Sequence, residues 1–232
     1  MVIGLVLIRA EWKERANAID RLTAFVAQHT DAVNRSKKFL TVVDAFSKGL
    51  ADNNSKVLFA AQKAFIKTIP LLKVRMQSRH SPQSLISSNP AQIVSALALN
   101  VGSSNSSIRQ GGEELFEALL EDQQVSCALV QPLCHQATYG SVRARAYVLN
   151  VLASITERVF EERPASIKKN VFQLVYKLIG ETQTKGEVKD ALQELVKELH
   201  AVSGSALVDS APSNKLQKLY EIVPSFSEQS YS

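Results

Sequence analysis

The chain has 232 residues, 45% of them hydrophobic, with 27 Lys and Arg against 22 Asp and Glu for a formal charge of +5. That much apolar content supports a continuous core and excludes a wholly disordered chain. Nine Gly and seven Pro among long Ala, Leu, Val, Lys, Glu and Gln stretches favour helix over sheet, and the modest basic excess suits an acidic partner without choosing among an acidic protein, nucleic acid and anionic membrane.

The first apolar run, Val2 to Ile8, has the look of a short signal core, but no basic segment precedes it and no small-x-small cleavage site follows. It reads as part of the fold, and with no stretch near the ~20 apolar residues a membrane helix needs, the chain reads as soluble. From Trp12 onward one pattern recurs: an apolar residue after a turn, a small residue four on, and an apolar residue or Ala seven on. The starts are Trp12, Val57, Ile108, Val142 and Val188. Ala16, Ala61, Gly112 and Ala146 take the small position, and the fifth start departs with Leu192 beside Ala191.

Helix-period stretches precede the last four starts at roughly 33–51, 90–101, 124–137 and 165–180, so the chain reads as antiparallel helix pairs. Polar turns join them: Asp52 to Ser55, Gly102 to Ser107, Thr138 to Ser141, and Glu181 to Gly186. Their Ser, Asn and Asp side chains are placed to cap the helices that follow. Pro70 and Pro132 fall within helical patterns and predict kinks or stops, while Ser78 to Pro90 reads as an irregular connector. Cys127 and Cys134 are seven apart on a helix, about 10 Å between Cα atoms and too far for a disulfide, which fits a reducing, intracellular setting.

No helix pair buries its apolar face alone, so the pairs must stack into an all-α solenoid of about five to six HEAT-like repeats. The domain then covers 1–203, a capping helix and linker 204–224, and a disordered Ser-rich tail 225–232. In such a stack the turns within pairs line one edge, bringing together Trp12, Lys13, Lys56, Arg109, Arg143 and Lys189. An aromatic residue with a row of cations suits an acidic protein surface. Trp12 also has a plain reading as a core or staple residue at a helix start, and each cation one as a solvated side chain. His29, His80, His135 and His200 have no partners at metal-ligand spacing, and no phosphate loop, nucleophile elbow or zinc-protease motif occurs, so no cofactor, metal or catalytic residue is expected.

The segment Glu11-Trp12-Lys13-Glu14-Arg15-Ala16-Asn17-Ala18-Ile19-Asp20-Arg21-Leu22 resembles the first-repeat signature of TOG domains, found in tubulin polymerases, CLASP proteins and the ciliary crescerin family. Leu50 to Val57 is similar to that family's second-repeat turn, and Ser141-Val142-Arg143-Ala144-Arg145-Ala146 to its basic fourth-repeat helix start. The resemblance implies a non-enzymatic module that binds α/β-tubulin or the microtubule lattice through the turn edge, as a monomeric part of a larger multidomain protein in the cytoplasm, on microtubules or in a cilium or centrosome. It implies Trp12 as the β-tubulin anchor, Lys56 and Arg109 as its support, and Arg143 with Lys185 or Lys189 as contacts to α-tubulin. Neither nucleic acid nor membrane is implied as a partner. A generic HEAT or armadillo scaffold, binding a protein or peptide on its concave face, is the alternative.

Overall fold

The computed structural model describes residues 11–36, 39–76, 90–181 and 184–222. The opening Val2 to Arg9 stretch, the connector up to residue 89 and the tail from 223 lie outside them. Every regular element among the described residues is helical. They are α1 (Trp12–Gln28), α2 (Thr30–Arg35), α3 (Phe39–Leu50), α4 (Ser55–Met76), α5 (Pro90–Val101), α6 (Ser106–Leu120), α7 (Gln123–Tyr139) and α8 (Val142–Glu162), then α9 (Pro164–Ser166), a π-helix (Ile167–Phe172), α10 (Gln173–Leu178), α11 (Glu187–Ser203), α12 (Ala206–Asp209) and α13 (Ser213–Ile222). The chain divides into two compact units, residues 1–129 and 130–232, the division falling within α7.

In the first unit α4 packs between α1 and α6, while α3 and α5 pack on each other behind them. The spacing of apolar residues explains the layers. Ile19, Leu22 and Val26 form one buried stripe of α1, and Phe46 of α3 stacks on Phe65 of α4 with ring centroids 5.2 Å apart. Small residues set how closely the helices approach. A Cβ added to Gly49 would come within 2.8 Å of the Ala61 Cβ, and one added to Gly112 within 2.9 Å of the Asn100 Cβ. Gly111 is equally closed, facing the Gln62 side chain.

A polar knot sits in this core. Asn100 is buried and donates to the carbonyls of Leu50 at 2.8 Å and Ala96 at 2.6 Å, while accepting from Gln62 Nε2 at 2.6 Å. The same Gln62 amide donates to the Ile108 carbonyl at 2.9 Å. One pair of amides therefore ties α3, α4, α5 and α6, and it satisfies the carbonyl of Leu50 at the end of α3, where helix geometry leaves acceptors without partners.

The second unit is built on α8 packed against α11. Leu149, Leu152, Ile155 and Val159 of the first and Val188, Leu192, Leu195 and Leu199 of the second are all buried. Tyr176 of α10 donates its hydroxyl to the Leu207 carbonyl at 2.6 Å and meets Ser210 at 3.0 Å, fastening α12, while Leu219 buries α13. Burial pushes the Tyr176 hydroxyl above its ordinary pKa, which favours the protonated form that donates to Leu207.

Two expectations are corrected and a third, that the prolines kink or stop their helices, is narrowed. The stretch 33–51 is not one helix: Ser36 turns extended after α2, and α3 begins at Phe39. The stretch 165–180 contains a π-helical segment, with Asn170 Nδ2 bonding back to the Ser166 carbonyl at 2.9 Å. Finally, neither Pro70 nor Pro132 stops its helix. Each removes one backbone bond, but Phe65, Ile69 and Leu72 around the first, and Val130 and Leu133 around the second, are buried on the same helix and hold its two halves in place.

Neither cysteine is in a disulfide, both are buried, and burial pushes the Cys134 thiol up to about 12. At about pH 8 the reactive thiolate is then roughly one part in ten thousand. We expect no uptake of a thiol reagent by the native chain at that pH and full reaction at both sites in concentrated guanidinium. Prompt labelling of the native chain would show that the helix carrying the two thiols opens.

Candidate protein-binding turns

Each predicted start lies in the first turn of a helix, but their environments differ. Val57 and Val188 are buried, Ile108 and Trp12 are half-buried, and Val142 is exposed. The positions seven on, Ile19, Ala64, Leu115, Leu149 and Leu195, are all buried, as the shared pattern requires.

Side-chain caps fix most of these turns. Asn105 Oδ1 accepts from the amides of Ser107 at 3.0 Å and Ile108 at 3.4 Å, and Ser141 Oγ accepts from Ala144 at 3.4 Å. Ahead of α4, Asp52 Oδ1 accepts from Asn54 and Asn54 Oδ1 from Lys56. The last turn works otherwise: Gly186 at φ 52° supplies a left-handed residue, and Thr184 Oγ1 donates to the Leu178 carbonyl.

In the first unit Trp12 is not part of the core. Its ring lies beneath Lys56 Nζ at 4.4 Å from the centroid, with Lys13 Nζ at 5.7 Å. Lys13 and Lys56 are exposed. A lysine in the first turn of a helix opposes the helix dipole, and the indole face offsets that cost by about 0.5–1 kcal/mol. Directly below, Arg15 grips Asp52 through Nε at 2.8 Å and Nη2 at 2.9 Å, holding the α3–α4 turn against α1. The Asp52 hydrogen bond and charge hold the Arg15 guanidinium above its ordinary pKa. Arg109 is half-buried and turns back on its own loop, donating from Nη1 to the carbonyls of Ser103 and Ser104 at 2.8 Å each. Its first contact is therefore to brace the third turn.

In the second unit Arg143 is exposed beside Val142, and Lys185 and Lys189 are exposed around the last turn. These two lysines line a shallow groove of about 290 Å³ with Glu181, Thr184, Lys218 and Glu221. Arg145, counted in the sequence merely as another cation near the fourth start, is buried. It donates from Nε to the Ala137 carbonyl at 3.0 Å and from Nη2 to Glu181 at 3.2 Å. The same device thus occurs in both units. An arginine three residues after a helix start holds an acid of the next turn, with separations of 37 and 36 residues. Sequence reading missed it, though an Arg in the first turn paired with an acid opening the following loop was the signal available.

No family model matches the chain. Over 220 residues it is 26% identical to the human TOG array regulator of axonemal microtubules protein 1, covering 92% of this chain but 12% of that protein. The crescerin-like protein che-12 of Caenorhabditis elegans is 20% identical over 208 residues, covering 89% of this chain and 16% of that protein. The chain thus spans under a fifth of the length of these curated relatives. Among solved structures, a TOG domain from C. elegans Zyg9 superposes with a TM-score of 0.66 at 15% identity, covering 97% of this chain and 81% of that one. The chain has the fold of a TOG domain.

Proposed function

We propose that this chain is a tubulin-binding module of a microtubule regulator, without catalytic activity of its own, acting on axonemal or other cytoskeletal microtubules. One observation carries the reading most. Trp12 is half-buried at the opening of α1, outside the core and under two exposed lysines, in a chain with the TOG fold and relatives named for axonemal microtubules. A tryptophan at such a position presents a large rigid apolar surface at low entropic cost, and its lysines meet carboxylates around the recess it enters.

On this reading Trp12, Lys13 and Lys56 contact β-tubulin, with Arg109 supporting them by shaping the third turn. Arg143, Lys185 and Lys189 contact α-tubulin. Arrays of such modules multiply weak affinities, so one copy binds modestly and its host protein gains from sister domains.

Size-exclusion chromatography with purified tubulin, followed by microtubule co-sedimentation, tests the reading directly. Reversing the charge of Arg143 to Glu gives the electrostatic arm: binding should weaken roughly five- to tenfold at low salt, and the difference should shrink as the Debye length falls below ~8 Å. Parent-like binding by Arg143→Glu at every salt concentration would remove Arg143 from the interface. Absence of any complex with the parent chain would favour a scaffold that binds another protein on its concave helical surface.

A further inference from the structure

Four large apolar side chains are exposed among the described residues, and two of them share one turn: Tyr139, 69% exposed, and Val142, 63% exposed. Tyr139 ends α7 and Val142 opens α8. Neither fills the core, yet the ring is not loose. Lys177 Nζ donates to the Tyr139 hydroxyl at 3.0 Å and lies 4.4 Å from the ring centroid, and the His135 ring packs one turn earlier at 4.8 Å.

The backbone beneath is tied down as well. Lys177 comes from the neighbouring repeat, in the last turn of α10, and Arg145 fastens the end of α7 to the following turn through Ala137 and Glu181. A pre-set aromatic ring loses little freedom when a partner closes on it, which favours affinity. Exposed Lys177 sits on the ring and exposed Arg143 follows Val142 in the chain, while Glu181 of the next turn pairs with Arg145. The arrangement repeats in the second unit what Trp12 and Lys56 form in the first: an aromatic ring at a turn, a lysine over its face, and further positive charge alongside.

We propose that Tyr139 and Val142 form a second anchor, an apolar knob rimmed by Arg143 and Lys177 that seats in a recess of an acidic protein surface. It rests on the tubulin reading, in which that surface belongs to the tubulin dimer. Exposed Val142 on the same turn as the ring favours an apolar recess over a phosphate backbone, and the two cations favour carboxylates at its rim. Tyr139 thereby adds a contact from the fourth turn, where the sequence pointed to Arg143 alone.

The test is the affinity of the 232-residue chain for tubulin dimers, measured beside thermal melts. Tyr139→Ala and Val142→Ser should each weaken binding about five- to tenfold with unchanged melting, as truncated interface anchors do. Tyr139→Phe keeps the ring, loses the bond to Lys177, and should stay within about twofold of the parent. If Tyr139→Ala and Val142→Ser bind like the parent while Trp12→Ala is weakened, the second anchor is wrong and the tubulin reading stands. A parent chain that does not bind tubulin overturns both. Should Tyr139→Ala melt early, the ring is structural and Val142→Ser decides alone, parent-like binding overturning the proposal.

Discussion

Trp12→Ala should weaken tubulin binding by about 2 kcal/mol or more, roughly thirtyfold in Kd, because truncating an aromatic anchor removes its apolar contact and leaves the partner's recess unfilled. Stability should fall far less. The indole is half-buried and stacked under Lys13 and Lys56, so what folding loses is its partial burial and cation contacts of about 0.5–1 kcal/mol. A core tryptophan would instead cost about 3–5 kcal/mol. Melting and tubulin affinity measured on one mutant separate the cases. A collapse in stability with parent-like affinity would return Trp12 to the staple role, and with it the first contact of the proposed interface.

The second large effect is on folding. Asn100→Leu keeps the branched outline and the number of side-chain heavy atoms and removes three hydrogen bonds inside the first unit. It strands the Leu50 carbonyl and part of the Gln62 amide in a buried setting, and each stranded group costs about 1–3 kcal/mol, so unfolding free energy should drop by about 3 kcal/mol or more. Gln62→Leu should cost a similar amount, and the double replacement clearly less than the sum, because the two amides satisfy each other. Denaturant titration reads all three. A cost below about 1 kcal/mol for Asn100→Leu would mean that water replaces the lost partners. The effect reaches function because Leu50 leads into the turn that carries Asp52 and Lys56.

Much of the fold is legible in the sequence for a physical reason. Asn105 and Ser141 are written as caps and act as caps, and the buried positions seven residues after each start follow from helical periodicity alone. The π-helical segment has no such signature, since its extra residue changes an apolar spacing of four to one of five, a step that ordinary amphipathic helices also show. The candidate site was harder to read. Charge can be counted in a sequence, but whether an arginine points outward depends on what the next repeat brings. Arg143 and Arg145 look alike as letters, yet one is exposed and the other is buried against Ala137 and Glu181. Tyr139 was visible only as a turn residue until Lys177, 38 positions later, was found on its ring.

The arginine clasps described above, Arg15 to Asp52 and Arg145 to Glu181, also bear on how the chain reaches its native state. Each reaches only as far as the adjoining repeat, so within each unit these ties close loops of repeat length and do not wait for distant ends to meet. Contact order stays low, and chains of low contact order fold quickly. Each clasp can form as soon as its neighbouring turn is made. Growth of native structure can therefore proceed outward from any repeat that forms first, as nearest-neighbour coupling in repeat proteins allows.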